Sequence, residues 1–240
     1  EYLNLRCGWS LKPATMEEIL KGEVDFPYGA ERPLKYFDEY MKSGCYPFCK
    51  EPEFETRLRQ IINTTVELDI PKYAKMTIAA TQKLKKFMYY ISRSVPVTIN
   101  YSGMARDLGI DRDDLPKYLE YLEKAELVSA LGMKANGDAI LRKMDKLYLH
   151  NPNIAYVLSG GKADVGNARE TIFLCWTKER FNTLESPISD FEIDGKTFEL
   201  GGRKKGKKQI TDAKEGYVVK DNIEYVFDNQ IPLWMFGFLY

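Results

Sequence analysis

The chain has one histidine, His150, and four cysteines, Cys7, Cys45, Cys49 and Cys175, among 240 residues. A lone imidazole cannot build a His-rich metal cluster, and no Ser or Cys pattern beside it resembles a nucleophile awaiting a base. His150 reads instead as a polar residue next to Asn151-Pro152, where one unit ends. Cys45-Tyr-Pro-Phe-Cys49 is a CxxxC without the second Cys or His pair that would close a zinc site. No secretory signal is seen, so the thiols are expected to be reduced and the location cytoplasmic. Net charge is lacking as well: Lys+Arg and Asp+Glu both total 35. That excludes binding to nucleic acid by bulk charge and leaves only local patches. The longest apolar run, Pro232–Tyr240, is far short of the roughly 18 residues of a membrane-spanning helix and is expected to be a core element. The chain opens mid-pattern at Glu1-Tyr2-Leu3-Asn4-Leu5 without Met, as a piece of something longer would.

What is present is core material. Aromatic residues make up 13% of the chain, enough to fill more than one hydrophobic interior. Residues 1–71 read as short helices. Thr15-Met-Glu-Glu18 is a capping box opening a helix that ends near Gly22. Pro33 to Ser43 carries a stripe of Leu34, Phe37, Tyr40 and Met41, with Gly44 as its stop. Pro52 to Leu68 places Phe54, Leu58, Ile61 and Ile62 on one side, and Ile70-Pro71 is expected to break that helix.

Residues 72–150 have the most legible pattern. A long helix is predicted from Tyr73 to Arg93, with Ile78, Leu84, Phe87, Met88 and Ile91 as apolar positions, followed by β-prone Val97-Thr98-Ile99. Ser102 to Gly109 and Asp111 to Leu122 then give a short helix, a glycine turn and a second helix with apolar residues at 115, 118, 119 and 122. Leu127–Leu131, a turn at Asn136-Gly137 and Ala139–Leu149 read as a hairpin. Together these describe a winged helix. Its second helix is acidic: between Asp111 and Glu126 there are six acids and three bases. Phosphates repel such a field, so nucleic-acid contact is assigned to bases elsewhere: Lys134, Arg142, Lys143 and Lys146 on the wing, and Lys205, Lys207 and Lys208 beyond it. A purely protein-docking winged helix is the competing reading.

Residues 151–240 begin with a helix near Gly166–Arg180, then a hairpin of Phe191–Ile193 and Thr197–Leu200 around Asp194-Gly195, and a strand at Gly216–Val219. Gly201 to Lys208 mimics a phosphate-binding loop, but Lys208 stands where a hydroxyl should hold Mg²⁺. Glu170, Asp190 and Glu199 form a more informative set. Carboxylates on two hairpin strands and a preceding helix can converge on one divalent cation, with Asp190 and Glu199 as metal ligands and Mg²⁺ as the ion. Nucleases of the restriction-endonuclease fold use such a cluster with a lysine two residues past the strand acid. Here Gly201 occupies that place, and Gln209 sits where a helix-borne polar residue would. The balance favours a fold kept and a chemistry lost. The rival is a metal-dependent nuclease that recruits a displaced lysine.

Tyr36-Phe-Asp-Glu-Tyr-Met-Lys-Ser-Gly-Cys-Tyr-Pro47 resembles the F-x-E-Y-L-x-x-G-G-Y-P segment of a prokaryotic group of AAA-type ATPases. Arg169-Glu-Thr-Ile-Phe173, Ser189-Asp-Phe191 and Phe198-Glu-Leu-Gly201 are similar to that group's E-N-x-V, E-V-D-F and x-E-V-K motifs, with Gly201 replacing the lysine. The resemblance implies the C-terminal half of such a protein, with ATP bound only by a core that this chain lacks. The expectation is an α+β chain: a helical remnant of the ATPase module (1–71), a winged helix-turn-helix (72–150) and a small restriction-endonuclease-like α/β domain (151–240). Its expected role is non-catalytic nucleic-acid binding or regulation, with DNA and the missing ATPase core as partners, no cofactor of its own and no membrane association.

Overall fold

The computed structural model describes residues 1–28, 31–133, 144–202, 210–211 and 213–239, with the side chains of Met144 and Asp145 left aside. The chain is α+β, as expected. Among the described residues no helix is long and apolar enough to cross a membrane.

Helices α1 (Tyr2–Cys7), α2 (Met16–Lys21) and α3 (Pro33–Glu39) open the chain. The capping box forms as predicted: the Thr15 side chain accepts from the Glu18 amide, and the Glu18 carboxylate accepts from the Thr15 amide. Helix α3 runs into a π-helical turn, Tyr40–Gly44. A Cβ on Gly44 would lie 2.4 Å from the Tyr40 ring, which is why a glycine closes that turn.

Helix α4 (Phe54–Thr64), a π-helical turn (Thr65–Asp69) and α5 (Ile70–Tyr73) form one nearly continuous rod. Ile70-Pro71 does not break it. Asp69 and Ile70 keep helical backbone angles, and Pro71 falls at the junction where the π-helical turn passes into α5. Helix α6 (Ile78–Ser94) starts later than predicted, because the chain turns at Lys75 (φ 51°) and Thr77 caps the new helix. Ile78, expected in the core, is 83% exposed, while Leu84, Phe87, Met88 and Ile91 are buried.

Strand β1 (Val97–Thr98), α7 (Tyr101–Leu108), α8 (Leu115–Lys124), β2 (Val128–Gly132) and β3 (Met144–Leu149) follow. The three strands form an antiparallel sheet in the order β1-β3-β2. The hairpin turn expected at Asn136-Gly137 lies outside the described residues. Helix α9 (Pro152–Leu158), which sequence reading passed over, is capped by Asn151 and leads to α10 (Val165–Thr177).

The rest is a five-stranded mixed sheet: β4 (Thr183–Glu185), β5 (Phe191–Ile193), β6 (Lys196–Gly201), β7 (Gly216–Lys220) and β8 (Gln230–Pro232), in that order. The first three strands are antiparallel, and β6, β7 and β8 run parallel. Asp194 (φ 50°) and Gly195 (φ 81°) make the β5–β6 turn, both left-handed as a two-residue hairpin loop demands. The terminal apolar run becomes β8 and a 3₁₀ turn, Leu233–Phe238, whose large side chains are buried.

Two hydrophobic cores result. One unites Phe54 to Ile70 with the buried hydrophobic residues from Leu84 to Leu149, except Leu131 and Tyr148 of the wing sheet, and with α9. The other unites Ile19, Phe26 and Met41 with α10, the mixed sheet and the terminal turn. Phe173 on α10 is the hub of the second, with Phe191, Phe198 and Phe236 at centroid distances of 5.1, 5.4 and 4.9 Å. Each such ring pair adds about 0.5–1.5 kcal/mol beyond the area it buries. The apolar residues of segment 1–71 are thus divided between the two cores.

Candidate functional site

The helix-turn-helix is built from local signals. Asn100 caps α7 by accepting from the Gly103 amide at 3.0 Å. Gly109 ends that helix at φ 65°, and its amide donates to the Ala105 carbonyl. Leu115, Tyr118, Leu119 and Leu122 turn one face of α8 into the core. The turn before it carries Asp111, Arg112 and Asp113 and its outward face Lys117, Glu120 and Lys124, all exposed. Its lysines are engaged within the helix region: Lys117 lies 3.5 Å from Asp114, and Lys124 lies 2.7 Å from Glu120. Glu123 is turned inward, accepting from the Ala130 amide at 2.8 Å and pairing with Lys178 at 3.1 Å.

Of the bases assigned to nucleic acid, Lys134, Arg142, Lys143, Lys205, Lys207 and Lys208 lie outside the described residues, as does Gln209. Lys146, on β3, is half-buried and pairs with Glu185 at 3.2 Å. That ion pair spans from the wing sheet to β4.

The three acids are brought into one neighbourhood. The β5–β6 register pairs Phe191 with Phe198, and one further step sets Asp190 opposite Glu199. Glu170, on α10, feels the charge of both. Burial raises the Glu170 pKa most, and the Asp190 charge adds to the rise. The Tyr148 hydroxyl donates to the Glu170 carboxylate at 2.9 Å, and Tyr148 is itself held well above the ordinary phenol range by burial and by Glu170. Asp190 accepts from the Leu200 amide at 2.7 Å, and the Ser189 hydroxyl reaches the Glu199 carboxylate.

One oxygen of each carboxylate is engaged, that of Glu170 by a phenol, that of Asp190 by an amide and that of Glu199 by a hydroxyl. Among the described residues no group of three or more His, Cys, Asp or Glu side chains converges to hold a metal ion. All four cysteines are free. His150 keeps a structural place: burial lowers its pKa, and its Nδ1 lies 3.3 Å from the Ser129 hydroxyl.

Sequence reading missed Tyr148, Lys146 and Glu185 as members of this neighbourhood. They sit on strands of two different sheets, and no spacing along the chain announces their meeting.

The order α6-β1-α7-α8-β2-β3, with a three-stranded sheet behind a helix-turn-helix, defines a winged helix. The family profile described as "Domain of unknown function (DUF8612)" matches residues 34–164, more than half of the chain, and the chain belongs to that family. The match spans the whole of the core that contains the winged helix and ends before Glu170, Asp190 and Glu199. The chain is also similar to the HTH-type transcriptional activator ArnR of Sulfolobus acidocaldarius, with 34% identity over 64 residues, covering 25% of this chain and 24% of the relative. The chain therefore matches about a quarter of that relative's length. No solved structure matches it.

Proposed function

We propose that this chain is a DNA-binding regulatory module that meets duplex DNA through its wing. The observation that carries the reading is the winged-helix arrangement combined with the charge of α8. The entry to that helix exposes Asp111 and Asp113, and its lysines are engaged by Asp114 and Glu120. A phosphate backbone is repelled there and attracted to Lys134, Arg142 and Lys143 on the wing. Lys146, tied to Glu185, contributes less than the other three. Partial similarity to a helix-turn-helix transcriptional activator supports the same class of partner.

In this proposal residues 72–150 contact DNA, and residues 151–240 are an endonuclease-like unit whose acids have become structural and take no Mg²⁺. Residues 1–71 are the remnant of an AAA-type ATPase module, a reading that rests on the sequence resemblance alone.

The test is fluorescence anisotropy of a labelled duplex titrated at several salt concentrations. Binding should weaken steeply as salt rises. The double variant Arg142→Glu/Lys143→Glu should lose roughly tenfold or more in affinity, as loss of phosphate contacts implies. No saturable binding at 50 mM salt, or binding indifferent to the double variant, would remove DNA contact by the wing.

A further inference from the structure

The second core carries a cavity of about 150 Å³, open at one side, that neither the winged helix nor the acid neighbourhood uses. It lies where the first forty residues meet α10 and the terminal turn, and its wall is dominated by aromatic rings: Tyr2, Phe26, Tyr36, Tyr40, Trp176 and Trp234. The wall runs from exposed Glu1 to fully interior Phe238, so the space connects surface and core. Its rings meet mostly edge-on or tilted: Tyr2 and Tyr40 at 5.1 Å and 73°, Tyr40 and Trp176 at 5.6 Å and 35°.

Most of the polar groups around it are engaged, the exception being the buried Trp234 indole N–H, which has no hydrogen-bond partner among the described residues. The Tyr36 hydroxyl donates to Glu31 at 2.7 Å, the Trp176 indole reaches the Tyr40 hydroxyl at 3.3 Å, and Glu39 sits 3.6 Å from Arg6. Burial holds the Tyr40 phenol well above its ordinary pKa, so it stays neutral. A wall of ring faces and edges, in which Glu1 at the mouth is the one charged residue among those described, offers dispersion and edge-to-face contacts more than it offers charge. An apolar space of this size can take a small aromatic molecule.

We propose that this cavity is a binding site for a small uncharged aromatic molecule of about ten non-hydrogen atoms. The site stands on the geometry of the second core and is independent of the DNA reading. All three tryptophans of the chain lie in or against it: Trp176 and Trp234 in its wall, and Trp9 packed on Phe26 and Tyr36. Their fluorescence therefore reports occupancy.

The test compares tert-butylbenzene with its cationic isostere phenyltrimethylammonium, using ligand-observed NMR and tryptophan fluorescence on the whole chain. The neutral probe should bind saturably with a Kd on the order of 0.1 mM, as about ten well-buried heavy atoms allow. The cation should bind at least tenfold more weakly. Two variants should each cut neutral-probe affinity tenfold or more: Leu3→Trp, which fills the space from its wall, and Gly237→Ala, whose new Cβ would stand 3.1 Å from the Trp176 ring. Near-UV circular dichroism on both shows that the fold survives. Tighter binding of the cation would replace this reading with an ammonium cage. Failure of the neutral probe to bind, or binding untouched in both folded variants, would overturn it outright.

Discussion

The Tyr148 hydroxyl, on the second strand of the wing hairpin, donates to the Glu170 carboxylate on α10 at 2.9 Å. This bond and the Lys146–Glu185 pair fasten the wing sheet to the mixed sheet. Tyr148 is fully buried, with its ring against Phe191. Tyr148→Phe keeps the packing and removes the donor, leaving Glu170 half-buried without that partner. Chemical denaturation should register a loss of about 1–3 kcal/mol, the cost of stranding a buried polar group.

The same residue gives a pH signature. The Glu170 pKa is raised in the folded chain, chiefly by burial, so the native state holds a proton that the unfolded state has released. Its contribution to stability is therefore complete at low pH and lost as pH rises from the ordinary carboxylate value through the raised one. Glu170→Gln cannot titrate, and stability curves measured from pH 4 to 8 should fall less steeply with rising pH than those of the parent. Identical slopes would show that Glu170 titrates normally.

The α8 entry offers a second electrostatic test. Asp113→Asn/Asp114→Asn removes two negative charges and releases Lys117 from its partner. DNA affinity measured at low salt should stay constant or rise by a few-fold. Loss of binding would place the interface on α8 instead of the wing.

Gly109 isolates a backbone effect. Its φ is 65°, and a Cβ added there meets nothing within 4 Å, so Gly109→Ala adds conformational strain without a clash. Thermal or denaturant unfolding should show a loss of about 1–2 kcal/mol, with the helix-turn-helix otherwise intact.

The acid neighbourhood should be chemically silent. With the Asp190 and Glu199 carboxylates turned onto the Leu200 amide and the Ser189 hydroxyl, Mg²⁺ or Mn²⁺ should support no cleavage of plasmid or single-stranded DNA. Cleavage that disappears in Glu199→Ala would restore the nuclease reading and make Lys146 the first candidate for its lysine.

The sequence by itself determined whatever depends on neighbours along the chain. The Thr15–Glu18 capping box, the Gly109 turn, the four inward positions of α8 and the Asp194-Gly195 hairpin are each set by residues within one or two turns of each other. For the same reason the opposition of Asp190 and Glu199 was legible, since a two-residue loop fixes the register of its strands. Tertiary structure alone decided the rest. Ile78 fits the helical stripe yet points to solvent, because Lys75 turns the chain before α6 begins and the stripe cannot know which face will be covered. Phe26 and Trp234 are 208 positions apart and pack at 5.2 Å, joining the first residues to the last in one core. The aromatic cavity, the Tyr148–Glu170 bond and the Lys146–Glu185 pair arise in the same way. They come from side chains on separate elements, and only the packing of the two cores brings those elements within reach.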